Sequence, residues 1–112
     1  MTTTRQHKVS RLLQKELSQF FQQKGGTLTE GKMVTVTVVR ISPDLSMAKV
    51  YLSIFPGQEA GDTLNTISGK AGMIRSEMGN RLRNQLRHIP SFHFYLDDSL
   101  DYIDRIDNLL NH

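Results

Sequence analysis

The chain contains no cysteine and no tryptophan, and only three prolines. Without thiols it has no disulfide frame, no thiolate nucleophile and no cysteine-based zinc site. Long apolar runs are missing too. The longest are triples such as Phe94-Tyr95-Leu96, against about 20 residues for a membrane-spanning helix. Nothing apolar enough to serve as a signal core follows Met1-Thr2-Thr3-Thr4-Arg5-Gln6-His7-Lys8. These absences make the cytosol the default expectation. At 112 residues the chain supports one compact domain, residues 1–112, and excludes machinery with a separate cofactor domain. Hydrophobic residues at 38% and charged residues at 22% fit a folded domain, not a disordered chain or a coiled coil.

What is present is an uneven charge. The net charge of +3 is modest, but residues 1–24 carry Arg5, Lys8, Arg11, Lys15 and Lys24 against Glu16 alone. Residues 70–88 carry Lys70, Arg75, Arg81, Arg83 and Arg87 against Glu77 alone. His7 and His88 fall in the same two segments. Residues 97–112 reverse the sign, with Asp97, Asp98, Asp101, Asp104 and Asp107 against Arg105. Two basic segments on one side of a fold are the footprint expected for phosphate contact. Solvated helix exteriors explain the same charges equally well from composition alone.

Hydropathy periods divide the chain. Val9, Leu13, Leu17, Phe20 and Phe21 form one stripe of a helix over 5–24, with Leu12 at its edge and Lys8, Arg11 and Lys15 opposite. Gly25-Gly26 ends it. Residues 33–41 read as a strand with Val34, Val36 and Val38 on one face and Thr35 and Thr37 on the other. Ser42-Pro43-Asp44-Leu45 is a turn with proline at its second position. A second strand over 47–55 turns Ala48, Val50, Leu52 and Ile54 one way and Lys49, Tyr51, Ser53 and Phe55 the other. The pair makes an antiparallel hairpin.

After Pro56-Gly57, Asp62 is the expected N-cap of a helix starting at Thr63. Leu64, Ile67, Ala71, Ile74, Met78, Leu82 and Leu86 continue a helical stripe, interrupted by Gly69 and Gly72. Each glycine costs about 1 kcal/mol in a helix interior, so 62–88 should be a kinked pair whose second piece runs 73–88 and stops before Pro90. Phe92, Phe94 and Leu96 define a strand over 92–96. A terminal helix over 99–110 turns Leu100, Ile103, Ile106 and Leu110 to one side. The expected fold class is α+β: a three-stranded sheet with helices covering one face.

This order, α-β-β-α-α-β with a short C-terminal helix, resembles a single type II KH-like domain. In such RNA-binding modules a Gly-x-x-Gly loop between two helices clamps the nucleic-acid backbone. Gly69-Lys70-Ala71-Gly72 has that spacing at that junction, where glycines permit close backbone approach. A closer resemblance spans nearly the whole chain. The run from Met33 through Ser42-Pro43-Asp44-Leu45 to Ser53 is similar to the ribosome-binding factor A family. So are Gly72-Met73-Ile74-Arg75-Ser76-Glu77-Met78-Gly79-Asn80-Arg81-Leu82-Arg83, Ile89-Pro90, and Phe92-His93-Phe94-Tyr95-Leu96-Asp97-Asp98-Ser99.

That resemblance implies a KH-like fold and a non-catalytic factor without cofactors. It implies a protein that binds the free small (30S) ribosomal subunit through its 16S rRNA and assists late maturation, in a family associated with growth in the cold. A monomer is the default, and neither membrane nor small-molecule substrate is expected. The family's Ala-x-Gly kink falls on Lys70-Ala71-Gly72, with Lys70 where the small residue usually sits. The loop Gly25-Gly26-Thr27-Leu28-Thr29-Glu30-Gly31 lacks the family's Asp-Pro-Arg.

The expected RNA-contacting residues are Lys8, Arg11, Lys15, Lys49, Gly69, Lys70, Ala71, Gly72, Arg75, Arg81, Arg83 and Arg87. Arginine offers a planar fork that holds phosphate at two points and stacks on bases. Arg81→Glu with Arg83→Glu is expected to weaken binding and leave the fold intact. Two other readings remain open: a KH-like adaptor for another RNA or an acidic protein, and a small hydrolase using His88, His93, Asp97 and Asp98. The histidines have no ligand spacing, and the aspartates read as turn and cap residues. Tyr51, with Thr35, Thr37 and Phe55, could form a base-stacking sheet face, but Tyr51 is expected as packed structure.

Overall fold

The computed structural model describes residues 3–24 and 26–97. Helix α1 spans Thr4–Gln23. Its start is fixed by a reciprocal pair: the Thr3 hydroxyl accepts from the Gln6 amide at 3.1 Å, and the Gln6 side-chain oxygen accepts from the Thr3 amide at 2.9 Å. The other end of the Gln6 amide group, Nε2, donates to the Ile41 carbonyl at 2.9 Å, although Gln6 is buried. One side chain thus caps the helix and ties it to the sheet. The expected stripe of Val9, Leu13, Leu17, Phe20 and Phe21 is buried. Past Lys24, Gly26 sits at φ +96°, the left-handed region that favours glycine.

Strands β1 (Met33–Ile41) and β2 (Met47–Phe55) pair antiparallel. The turn between them closes through the Leu45 amide on the Ser42 carbonyl and the Ser42 amide on the Met47 carbonyl, both at 2.9 Å. In β2 the alternation is as expected. In β1 it is not, because a bulge lies between Val36 and Val38. Val36 pairs with Leu52 and Val38 with Tyr51, so Thr37 is the extra residue. Beyond it the faces exchange. Val34, Val36, Val39 and Ile41 are buried and Val38 is exposed, which corrects the expectation that Val38 shares a face with Val34 and Val36.

Helix α2 spans Ala60–Gly69 and α3 spans Ala71–Leu82. Asp62 is not the N-cap. The Asp62 and Thr63 amides both donate to the Glu59 carbonyl, at 3.1 and 3.2 Å, so the helix starts earlier and Asp62 sits in its first turn. Nor does α3 reach 88. The Gln85 and Leu86 amides both close on the Leu82 carbonyl, and the chain then turns so that Leu86 and Ile89 fold back on the core. Leu86 continues the stripe without continuing the helix.

The helix pair carries the chain back across the sheet, so β3 (Ser91–Leu96) runs parallel to β2, giving the order β1-β2-β3. Phe92 and Phe94 are buried. Leu96, expected to share their face inside, remains 37% exposed at the strand's end. Helix α1 lies against β1, and α2 and α3 lie against β3. Helices α1, α2 and α3 therefore cover the face that carries Val36, Val50, Leu52 and Phe94. The opposite face is a separate surface. The expected helix over 99–110 lies outside the described residues.

Candidate nucleic-acid interface

The junction between α2 and α3 is a kink, not an open loop. Lys70 alone separates the helices, at φ −104° and ψ 13°. Its amide donates to the Ile67 carbonyl and its carbonyl accepts from the Ile74 amide, both at 2.9 Å. A Cβ added at Gly69 or Gly72 would meet no atom within 4 Å, and neither glycine has a positive φ. The backbone therefore does not need glycine at either place. Lys70 is exposed on the outside of the kink, with Ala71 half-buried beside it.

The two basic helices are brought side by side. Thr3, Arg5 and Val9 at the start of α1 share a cleft with Arg75 of α3. Further along α1, Glu16, Phe20 and Gln23 meet Arg81. The helices therefore run in the same sense on one face of the sheet. Lys8, Arg11 and Lys15 project into solvent from α1, opposite its buried stripe.

Arg81 is differently employed. Its guanidinium lies 3.5 Å from Glu77 and 3.9 Å from Glu16, donates to the Gln23 side-chain oxygen, and sits 5.7 Å from the centre of the Phe20 ring. Its side chain is only 20% exposed. It staples α3 to α1. Arg81→Glu is therefore expected to cost stability, where the sequence alone suggests a substitution that leaves the fold intact. Arg83, two residues on, is the α3 C-cap and is exposed.

The cleft at the start of α1 has a volume of about 960 Å³. Its wall is made by Thr3, Arg5 and Val9, the turn Pro43–Ser46, Arg75, and residues 85–90. It gathers Arg75 and Arg87 from the expected set and adds Arg5 and His88, which lie outside that set. The signal for Arg5 was its place in the first basic segment. That for His88 was its adjacency to Arg87. Arg75 is oriented by its Nε, which donates to the Ile89 carbonyl at 3.0 Å. The acid in this wall, Asp44, is occupied by its own turn. It accepts from the Ser42 hydroxyl at 2.7 Å and from the Ser46 hydroxyl and amide at 2.7 and 3.1 Å. Those donors, Ser46 first, lower its pKa from 3.8 to about 2.

Lys49 stands apart from all of these. It projects from the face of the sheet that α1, α2 and α3 leave open, beside His93. His88 lines the cleft and His93 lies on the open face. Asp97 accepts from the Thr37 hydroxyl. The residues of the hydrolase reading are thus not brought together. Asp98 lies outside the described residues. Among the described residues, no three His, Asp or Glu side chains gather as a metal site, and no helix is long and apolar enough to cross a membrane.

The element order, the parallel β3, the one-residue kink and the helix layer on one face define a type II KH-like α+β domain. The chain belongs to the ribosome-binding factor A family, whose model matches residues 5–110. Ribosome-binding factor A of Flavobacterium johnsoniae is 42% identical over 113 residues, covering 98% of this chain and 85% of that one. The crystal structure of ribosome-binding factor A from Thermus thermophilus matches 81% of this chain and 94% of its own at a TM-score of 0.67 and 22% identity. A homology model of the Thermus protein fitted into a cryo-EM map of a 30S complex matches 80% of this chain and 91% of its own, with a TM-score of 0.64 and 24% identity.

Proposed function

We propose that this protein binds the small ribosomal subunit through its 16S rRNA and assists late maturation of that subunit without catalysing a reaction. The observation that carries this is family membership over nearly the whole chain, with relatives named for ribosome binding. The surface supplies a physical means. Lys8, Arg11 and Lys15 on α1, and Arg83 and Arg87 at and beyond the end of α3, are exposed cations. Among the described residues they form no ion pair. Arg5, Arg75 and His88 add donors around the cleft. Lys70 presents a further cation at the kink, and Gly69, Ala71 and Gly72 keep that corner free of bulky side chains.

The mechanism is differential binding. A protein that docks better on one arrangement of an RNA shifts the population toward it by the ratio of its affinities for the two. No bond need be made or broken. Phosphate neutralisation supplies most of the affinity and makes it salt-dependent. The test is charge reversal at Lys8, Arg11 and Lys15 together, and separately at Arg83 and Arg87. Each set is expected to weaken co-sedimentation with small subunits by at least about tenfold, with the melting transition unchanged. Undiminished binding by both sets at moderate salt would overturn the assignment of this face.

A further inference from the structure

Among the described residues no helix covers the second face of the sheet, and that face is ordered in rows. Register places Arg40 opposite Lys49, and Lys49 opposite His93. The next row is Val38, Tyr51 and Tyr95. Beyond it stand Thr35 and Ser53, then Met33 and Phe55. Because partners across both ladders point the same way, each row is a line of neighbours with Cβ atoms about 5 Å apart. All three members of the first row are exposed.

That first row opposes ordinary sheet stability. Like charges directly opposite each other destabilise a sheet, and opposite charges stabilise it. Arg40 and Lys49 nevertheless stand side by side with the His93 imidazole. Among the described residues none of the three has a carboxylate within ion-pair distance. The row beside it is aromatic. Tyr51 and Tyr95 stack, with ring centroids 5.5 Å apart and planes 29° from parallel. Tyr95 is 42% exposed. Farther along, Met33 and Phe55 are 69% and 70% exposed.

Cations in one line and stacked rings in the next match the two needs of an unpaired nucleotide chain, a charged track for the backbone and a platform for bases. A duplex keeps its base faces inside and cannot use the second row. An acidic protein could use the first row but has no need of the second. We propose that this open face is a second RNA surface that takes a single-stranded segment, with phosphates on Arg40, Lys49 and His93 and a base stacked on the Tyr51–Tyr95 pair. This rests on the reading of the protein as an RNA binder. It assigns a different face, opposite α1 and α3, so the protein would sit between two RNA elements.

The absence of tryptophan makes a direct test available. The tyrosines are Tyr51, Tyr95 and Tyr102, so Tyr102→Phe leaves the stacked pair as the source of tyrosine emission. The full-length Tyr102→Phe protein is titrated with an oligouridylate of about 12 nucleotides, with a duplex RNA of equal length, and with polyglutamate. Emission is corrected for RNA absorbance. The single strand is expected to quench the emission, and the duplex and polyglutamate are not.

In the wild-type background, Tyr95→Leu should weaken single-strand binding by roughly tenfold, and Tyr95→Phe should restore it. Arg40→Gln with Lys49→Gln should weaken it to a similar extent. Melting curves of each variant separate lost binding from lost fold. Absence of quenching, or full single-strand affinity in a folded Tyr95→Leu protein, would overturn the proposal. Equal binding of polyglutamate without quenching would give the face to an acidic protein. No response to any probe would overturn the proposal as well. If small subunits still bind through α1 and α3 in those cases, the proposed function stands and only the second surface falls.

Discussion

Arg81 and Arg83 lie two residues apart and divide fold from surface. Arg81 sits between Glu16 and Glu77, against Phe20 and Gln23. A glutamate there would place three carboxylates together under partial burial. Arg81→Glu is expected to lower unfolding free energy by about 1–3 kcal/mol, read by urea denaturation. Arg83→Glu should stay within about 0.5 kcal/mol of the wild type. Equal stabilities would contradict the staple. The sequence holds one sign that separates them, Glu77 four residues before Arg81 with Gly79 in the same place before Arg83. Whether an arginine is free or engaged depends on partners as distant along the chain as Glu16 and Gln23.

Asp44 gives a prediction in pH. Its folded pKa is depressed, so its hydrogen bonds to Ser42 and Ser46 stabilise the turn above the unfolded value of 3.8 and lose that effect as pH falls toward about 2. Asp44→Ala should lower the melting temperature at neutral pH. The gap from the wild type should close across that acid window. A gap that persists unchanged at pH 2 would show that the carboxylate's charge is not what holds the turn.

At the scale of elements, both hairpin strands were legible to the residue because β-branched alternation has a period of two. The bulge leaves only a faint trace in the sequence. Alternation ends in the adjacent pair Val38-Val39, where the buried face passes to Val39. The overrun of α3 to 88 has a different cause. Leu82 and Leu86 are four apart, so the stripe persists through a turn that hydrogen bonds on the Leu82 carbonyl have already ended. Two glycines mark the junction between α2 and α3, where the sequence allows either a kink or an open Gly-x-x-Gly loop; the structure has a kink, with Lys70 alone between the helices. Neither glycine is conformationally required. Gly69→Ala should therefore stabilise the protein by about 0.4–1 kcal/mol through the unfolded chain, read by denaturant unfolding. Destabilisation would mean that the kink depends on glycine's freedom. Weakened subunit binding in a more stable variant would mean that RNA approaches the backbone there.

At the scale of the molecule, two basic segments separated by residues 25–69 meet because α1 and α3 lie on one face of one sheet. Charge counting along the chain anticipated a basic side. It could not assign Arg5 to a cleft, Arg81 to an interhelical contact or Lys49 to the far face. Those assignments follow from a helix crossing, a register and a bulge. The measurement closest to the central claim is co-sedimentation of the full-length protein with isolated small subunits and isolated large subunits at two salt concentrations. Selective binding to small subunits is expected. With about five phosphates neutralised, a fourfold rise in salt should weaken it by roughly 500-fold. Equal binding to both subunits would contradict recognition of the small subunit, and binding that salt leaves unchanged would contradict phosphate contact by this basic face.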